Sequence, residues 1–203
     1  MATSTAFPQQ TLAGAIWPEG SLSQPLRLAI LALAGTALLA LSARVQVPFY
    51  PVPITMQTFA VLAIGMAYGW RLGGATVLLY LAEGAAGLPV FAKGGGIATF
   101  FLDPVTGTTA GYLIGFVLAA ALVGWLAERG WDRNVATTAL TMLIGNVVIY
   151  VPGLLWLGAI FTWENPILEW GLYPFLIGDA FKLALAAAVM PLAWKAVRRW
   201  RDG

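Results

Sequence analysis

Six long apolar stretches, divided by short breaks, restrict what this 203-residue chain can fold into. They cover residues 26–43, 54–70, 72–88, 109–127, 137–161 and 172–197. A helix needs about 20 residues, in a range of roughly 17–25, to cross the ~30 Å hydrocarbon layer of a bilayer. The second and third stretches sit at the short end of that range, so they tilt little or lie partly below the lipid surface. The breaks are "RVQVPFYPVP" (44–53), "GWR" (69–71), "PVFAKGGGIATFFLDPVTGT" (89–108), "ERGWDRN" (128–134) and "TWENPILEWG" (162–171). The pattern predicts an all-α integral membrane protein, a six-transmembrane-helix bundle in contact with the lipid bilayer. No internal repeat is apparent, so one membrane domain over residues 26–197 is expected, with a basic tail at 198–203.

Composition supports this class. The chain is 60% hydrophobic and only 10% charged, whereas soluble domains run near 25% charged. A net charge of +2 is too small to suggest a nucleic-acid partner. There is no Cys and no His, which removes disulfides, thiolate and imidazole metal sites, and every catalytic triad with a His base. An intramembrane enzyme would then need a Ser/Lys or paired-Asp site, and a single Asp lies within a span. No enzyme, metal site or cofactor is expected. Residues 1–25 carry no Lys or Arg and no long apolar run, unlike a signal peptide. They are expected to form a loosely ordered cytoplasmic lead, with a short interfacial segment around 12–17.

Loop charge sets the expected orientation. An even number of spans puts both termini on one side. With the termini inside, the inner loops hold Arg27, Arg71, Arg129, Arg133, Lys195, Arg198, Arg199 and Arg201, against Arg44 and Lys93 outside. The positive-inside rule favours that arrangement, with N- and C-termini cytoplasmic. Arg44, Glu83, Lys93, Asp103, Asp179 and Lys182 then fall in the outer half or its loops.

Asp179 and Lys182 in "GDAFKLALA" (178–186) are the strongest candidates for a site. They are i, i+3 and share a helix face. From Leu172 they lie roughly 10 and 15 Å along the helix, at 1.5 Å per residue. A charge inside a span costs about 2.5–3.5 kcal/mol on insertion scales, so such residues face a cavity, a partner or a ligand. One reading is a structural ion pair. The other is a polar-ligand site, favoured because a mutual pair leaves most Asp lone pairs and Lys donors still needing partners.

The Gly-rich connection offers Gly94, Gly95 and Gly96, which let backbone approach a ligand or fold back into a cavity. Phe91, Phe100 and Phe101 would anchor it, and Lys93 would place a positive charge over the cavity mouth. It is no nucleotide-phosphate loop, because no Lys-Ser/Thr follows the glycines. Tyr112, Asn146 and Tyr150 form a third group, the last two on one face at i, i+4. They either wall a pocket for a compact organic ligand or serve as interhelical glue and an interface belt. Gln57 either starts a helix at the interface or hydrogen-bonds within the bundle. Ala32, Thr36 and Ala40 make a small-xxx-small stripe, for close approach of an internal helix or another subunit.

Together these stretches resemble the BioY family, the biotin-specific S-components of energy-coupling-factor (ECF) importers. The resemblance rests on "PVPITMQTFAVLAIG" (51–65), "GLPVFAKGGG" (87–96), "DPVTGTTAGYLIGF" (103–116) and "GDAFKLALA" (178–186), in order along most of 45–190. It implies a six-helix S-component fold with an outward biotin pocket. It implies that Asp179 and Lys182 bind the ligand, and that residues 91–96 form and cover the pocket. It also implies a first-helix surface for the transmembrane coupling subunit, here Ala32-xxx-Thr36-xxx-Ala40, with Thr departing from the family's Ala. No nucleotide-binding motif is present, so energy would come from ATPase subunits. A carboxylate suits the ureido N–H groups of biotin, a cation its ureido oxygen or carboxylate, and aromatic walls its ring and chain. Either end of biotin fits the deep position. The expected function is substrate capture for biotin import across the cell (plasma) membrane. An autonomous secondary transporter of biotin or a similar small organic acid is the alternative.

Overall fold

The computed structural model describes residues 11–17, 23–94 and 107–202. Over these the chain is mostly helical. Helix α1 (Leu12–Ile16) is capped by Thr11, whose hydroxyl accepts from the Gly14 N–H at 3.2 Å. This matches the short segment expected around 12–17. It is seated on the bundle: Leu12, Ala13 and Ala15 are buried, and Arg27 donates to the Ala13 carbonyl at 3.3 Å. Helix α2 (Gln24–Arg44) opens with Pro25 in its first turn, where a missing N–H costs nothing.

The Pro-rich break folds into something the apolar pattern does not signal. Strands β1 (Gln46–Val47) and β2 (Ile54–Thr55) pair antiparallel, with Gln46 opposite Thr55 and Val47 opposite Ile54. Four residues of strand suffice to make a small hairpin on an otherwise helical protein.

Helix α3 (Gln57–Ala85) contains the second and third apolar stretches. It is broken at Gly69, whose φ of 81° lies in the left-handed region open to glycine. A straight helix would hold Gln57 and Tyr80 about 35 Å apart. Instead the Gln57 amide donates to the Tyr80 hydroxyl at 2.7 Å, so the two arms double back on each other. Near the bend the arms touch backbone to backbone: a Cβ on Gly73 would lie 2.9 Å from the Cα of Gly65. Glu128 closes the bend by accepting from the Trp70 N–H at 3.1 Å.

A 3-10 turn (Gly107–Thr109) leads into α4 (Ala110–Ala127). This helix packs most extensively of all, between α3 and α5 (Val135–Phe161). Asn134 caps α5, its Oδ1 accepting from the Thr137 N–H at 2.9 Å. Helix α6 (Ile167–Gly171) precedes α7 (Tyr173–Asp202), which continues without a break through the basic residues after 197. Among the described residues, five helices are long and apolar enough to cross a membrane, counting the doubled α3 once. The fully buried centre includes Leu39, Leu62, Met66, Tyr80, Met142 and Ile149.

The helix ends sort into two groups. At one end lie the β-hairpin, the segment 88–94, the 3-10 turn and α6. At the other lie α1, Gly69, the 128–134 turn and Trp194. The cavity described next opens between elements of the first group.

Candidate ligand-binding site

Residue Asp179 organises one end of a cavity in the bundle. It is 6% exposed. Its Oδ1 accepts from Lys182 Nζ at 3.0 Å, and its Oδ2 accepts from the Tyr150 hydroxyl. Lys182, also 6% exposed, donates a second hydrogen bond to Thr58 Oγ1 at 2.8 Å. Helix α7 thus supplies an ion pair from one of its faces, α5 a hydroxyl, and α3 a second acceptor. Both charges are buried, and a buried pair holds only if its remaining hydrogen-bonding capacity is met. Among the described residues Lys182 makes these two hydrogen bonds, which leaves its third N–H for a ligand. Tyr150 spends its proton on Asp179, which leaves its oxygen as an acceptor.

These groups face about 550 Å³ of empty space. Tyr150, Lys182, Thr58 and Gln57 supply polar wall, with Thr55 and Thr109 nearby. Most of the rest is apolar: Phe91, Leu113, Phe116, Ile149 and Phe175, with the ring of Tyr112. Asp179 itself stands behind this wall and acts on it through Tyr150 and Lys182. Three rings pack edge to face along one side, Tyr112 against Tyr150 at 6.3 Å and Tyr150 against Phe175 at 6.4 Å. The Tyr112 hydroxyl turns away, donating to the Gly171 carbonyl at 2.9 Å and tying α4 to α6.

A second network seats the roof. Tyr80, which receives the Gln57 amide, donates to the Val90 carbonyl at 2.9 Å. Its ring meets Phe91 edge to face at 5.2 Å. Phe91 lies flush on Gly84: a Cβ there would fall 1.9 Å from the Phe91 ring. Arg44 at the end of α2 donates to the Pro89 carbonyl, holding the other side of the segment. The start of the Gly-rich connection is therefore packed down over the cavity by its own aromatic residue.

The structure brings Asp179, Lys182, Tyr150, Tyr112, Gln57 and Phe91 together at or directly behind one wall. It places three other candidates off it. Lys93 reaches sideways, its ammonium 2.7 Å from the Pro51 carbonyl and 3.0 Å from Thr108 Oγ1, and so joins three segments of the roof. Gly94 closes a short bridge with Phe91. Asn146 is buried one turn from Tyr150 on α5, outside the wall. Gly95 and Gly96, with Phe100, Phe101 and Asp103, lie outside the described residues. On α2, Thr36 turns into the bundle at 3% exposure and donates to the Leu33 carbonyl at 3.1 Å. Ala32 and Ala40 flank it half-buried, and the lipid-facing side of the helix is Leu-rich.

Sequence reasoning missed Thr58, Tyr80, Phe175 and Gly84. Phe175 was within reach, being i−4 from Asp179 on the same face. Thr58 had no local mark, since its partner Lys182 is 124 residues away.

Comparison with known proteins places this geometry among transport proteins. Residues 14–199 match the sequence profile described as the BioY family. The "Probable biotin transporter BioY" of Pyrococcus horikoshii is 38% identical over 154 residues, which is 75% of this chain and 87% of that protein. The "Biotin transporter BioY" of Thermotoga maritima is 34% identical, over 76% of this chain and 88% of that one. Among solved structures, the crystal structure of the S-component for biotin from an ECF-type ABC transporter superposes with a TM-score of 0.69. It is 25% identical, covering 91% of this chain and 95% of that one.

Proposed function

The chain belongs to the BioY family, and from that premise we propose that it is the biotin-binding S-component of an ECF importer. The observation that carries the reading is the Tyr150–Asp179–Lys182 cluster at the end of an aromatic cavity. A ureido group offers N–H donors beside a carbonyl acceptor. The Tyr150 oxygen, with its own proton on Asp179, accepts from an N–H, and the free Lys182 N–H donates to the carbonyl. Asp179 holds both partners in register and neutralises the buried cation. The Gln57 amide adds a polar contact. Tyr112, Phe91 and Phe175 enclose the apolar ring and chain.

In this reading each arm of α3 crosses the bilayer, which gives six crossings over residues 26–197. Both termini, with the lead at 1–25 and the basic tail at 198–203, are cytoplasmic, in agreement with the charge of the loops. The cavity then opens to the outside of the plasma membrane. Biotin is captured there, the segment around Phe91 closes over it, and the bundle reorients against a transmembrane coupling subunit driven by ATPase subunits. The half-buried flank of α2 with Ala32 and Ala40 is the contact we assign to that subunit. The protein performs no chemistry on the ligand and uses no cofactor.

Calorimetric titration of purified protein with biotin, competed by other vitamins, tests the binding role. Selective saturable binding is expected; its absence overturns the reading. Uptake into proteoliposomes separates the two transport classes. Accumulation that requires the ATPase subunits supports an importer component, whereas accumulation by this chain alone supports a secondary transporter.

A further inference from the structure

Three short connecting segments contribute to the wall of the ligand cavity. The turn between β1 and β2 supplies Val52 and Pro53, the segment 88–94 supplies Phe91 and Ala92, and the 3-10 turn supplies Thr109. In each segment, the residue next to a wall residue belongs to one hydrogen-bonded triangle. Lys93, beside Ala92, donates from Nζ to the carbonyl of Pro51, beside Val52, at 2.7 Å. It donates also to Oγ1 of Thr108, beside Thr109, at 3.0 Å. The Thr108 hydroxyl gives its own proton to the same Pro51 carbonyl at 2.9 Å. Thr108 and Pro51 are buried and Lys93 is half-buried. Lys93 is not itself a wall residue of the cavity.

This placement separates two roles for the charge. A cation that captures an anionic ligand group turns its N–H donors to the ligand, whereas two of the Lys93 donors point at protein oxygens. Hydrogen bonds to a charged donor are stronger than neutral ones, and parting them leaves a buried carbonyl and hydroxyl short of a partner. The other anchors of the segment tie it to helices: Arg44 of α2 holds the Pro89 carbonyl, and Tyr80 of α3 holds the Val90 carbonyl. Lys93 instead ties it to the two other connecting segments, so the three cannot separate without giving up the triangle. A ligand enclosed behind them leaves when they separate. Building on the biotin-binding reading, we propose that Lys93 is a positioning residue that does not touch the ligand. Its triangle with Pro51 and Thr108 holds the roof shut and sets how long the ligand stays bound.

The test is the kinetics of labelled biotin, association and chase, on purified wild-type protein, Lys93→Met, Thr108→Val and the double variant, at low and high salt. Lys93→Met keeps the length of the side chain and removes its donors. Thr108→Val keeps the shape and removes the hydroxyl, and it carries the same test should Lys93→Met fail to fold. Circular dichroism and a melting profile check each fold. Expected is release faster by roughly tenfold or more in Lys93→Met and about threefold or more in Thr108→Val, with association no slower in either. The double variant is expected to gain less than the product of the two single factors, because both substitutions remove the same Lys93–Thr108 bond. A lowered melting temperature with unchanged release makes the triangle merely structural and overturns the inference. Slower association in Lys93→Met, with a weakened salt dependence, assigns the charge to capture of the ligand carboxylate and also overturns it. So do factors that multiply in the double variant. Each of these outcomes leaves biotin binding by the wild type, and the reading, intact. Absence of biotin binding by the wild type removes that reading itself.

Discussion

The Tyr150 hydroxyl donates to Oδ2 of Asp179, joining α5 to α7 at the end of the cavity. Because Lys182 occupies Oδ1 of the same carboxylate, a single side chain sets the orientation of both groups that face the ligand space.

Substituting Asp179→Asn keeps the shape and removes the charge. Hydrogen bonds to charged groups contribute about 1.5–3 kcal/mol, so biotin affinity is expected to fall roughly 10–100-fold in a calorimetric titration. Tyr150→Phe removes one neutral partner and leaves the packing with Tyr112 and Phe175, and the expected loss is roughly 3–10-fold. Unchanged binding in Asp179→Asn would contradict the organising role.

Gly84 governs the roof. A valine there cannot coexist with the Phe91 ring, given the 1.9 Å approach of a Cβ. The ring must leave, and with it the edge-to-face pair with Tyr80, which contributes about 0.5–1.5 kcal/mol. Faster biotin release from Gly84→Val, by about tenfold in a stopped-flow chase, is the expected result. An unaltered release rate would show that the segment does not cover the ligand.

The α3 bend offers a stability test. At Gly69 a side chain meets a left-handed backbone and lies 2.4 Å from Glu128 Oε1. With φ 81° and ψ 174° the backbone there is essentially open to glycine alone, and the backbone term costs about 1–3 kcal/mol. Gly69→Ala is expected to lower the melting temperature by roughly 3–8 °C, read in a thermal scan with circular dichroism. Gly74→Ala is the control, because a Cβ there makes only an ordinary 3.5 Å contact with Ala121.

A pH dependence follows from Asp132, in the turn between α4 and α5. The residue is fully buried, and burial pushes its carboxyl up to about 6. The Trp194 indole N–H, donating to Oδ2 at 2.5 Å, and the nearby Arg133 cation oppose that rise. Its Oδ1 has no partner among the described residues. A carboxyl with a raised pKa in the folded state favours folding when protonated. The contribution is full below the ordinary value of 3.8 and is lost as pH rises through about 6. Wild-type melting temperature is expected to decline across that window, and Asp132→Asn to flatten the profile. A parallel decline in the variant would assign the effect to other groups.

Residues near one another in sequence were read well. The expected break at 69–71 meets the bend at Gly69, and the stretch at 137–161 meets α5 (Val135–Phe161). The shared face of Asp179 and Lys182 follows from the helical period alone, and their 3.0 Å contact realises it. Lys93 and Thr36 went differently. The sequence gives Lys93 a charge beside a Gly-rich run, whereas its meeting with the Pro51 carbonyl and Thr108 Oγ1 joins segments 42 and 15 residues away. A small residue at position 36 suits close packing, but whether it packs inward or outward depends on the rotation of α2 against α3.

The sequence by itself determined the class of protein, the helical stretches and the presence of two charges that lipid would not tolerate. These depend on local quantities: the apolar length needed to cross a bilayer, the 3.6-residue period, and the cost of a bare charge. Tertiary structure alone decided that α3 doubles back, that Tyr150 and Thr58 complete the Asp179–Lys182 pair, and that Phe91 seats on Gly84. Each of those joins residues far apart in the chain. Such contacts are chosen by which surfaces pack without voids or unpaired polar groups, and no single segment carries that information.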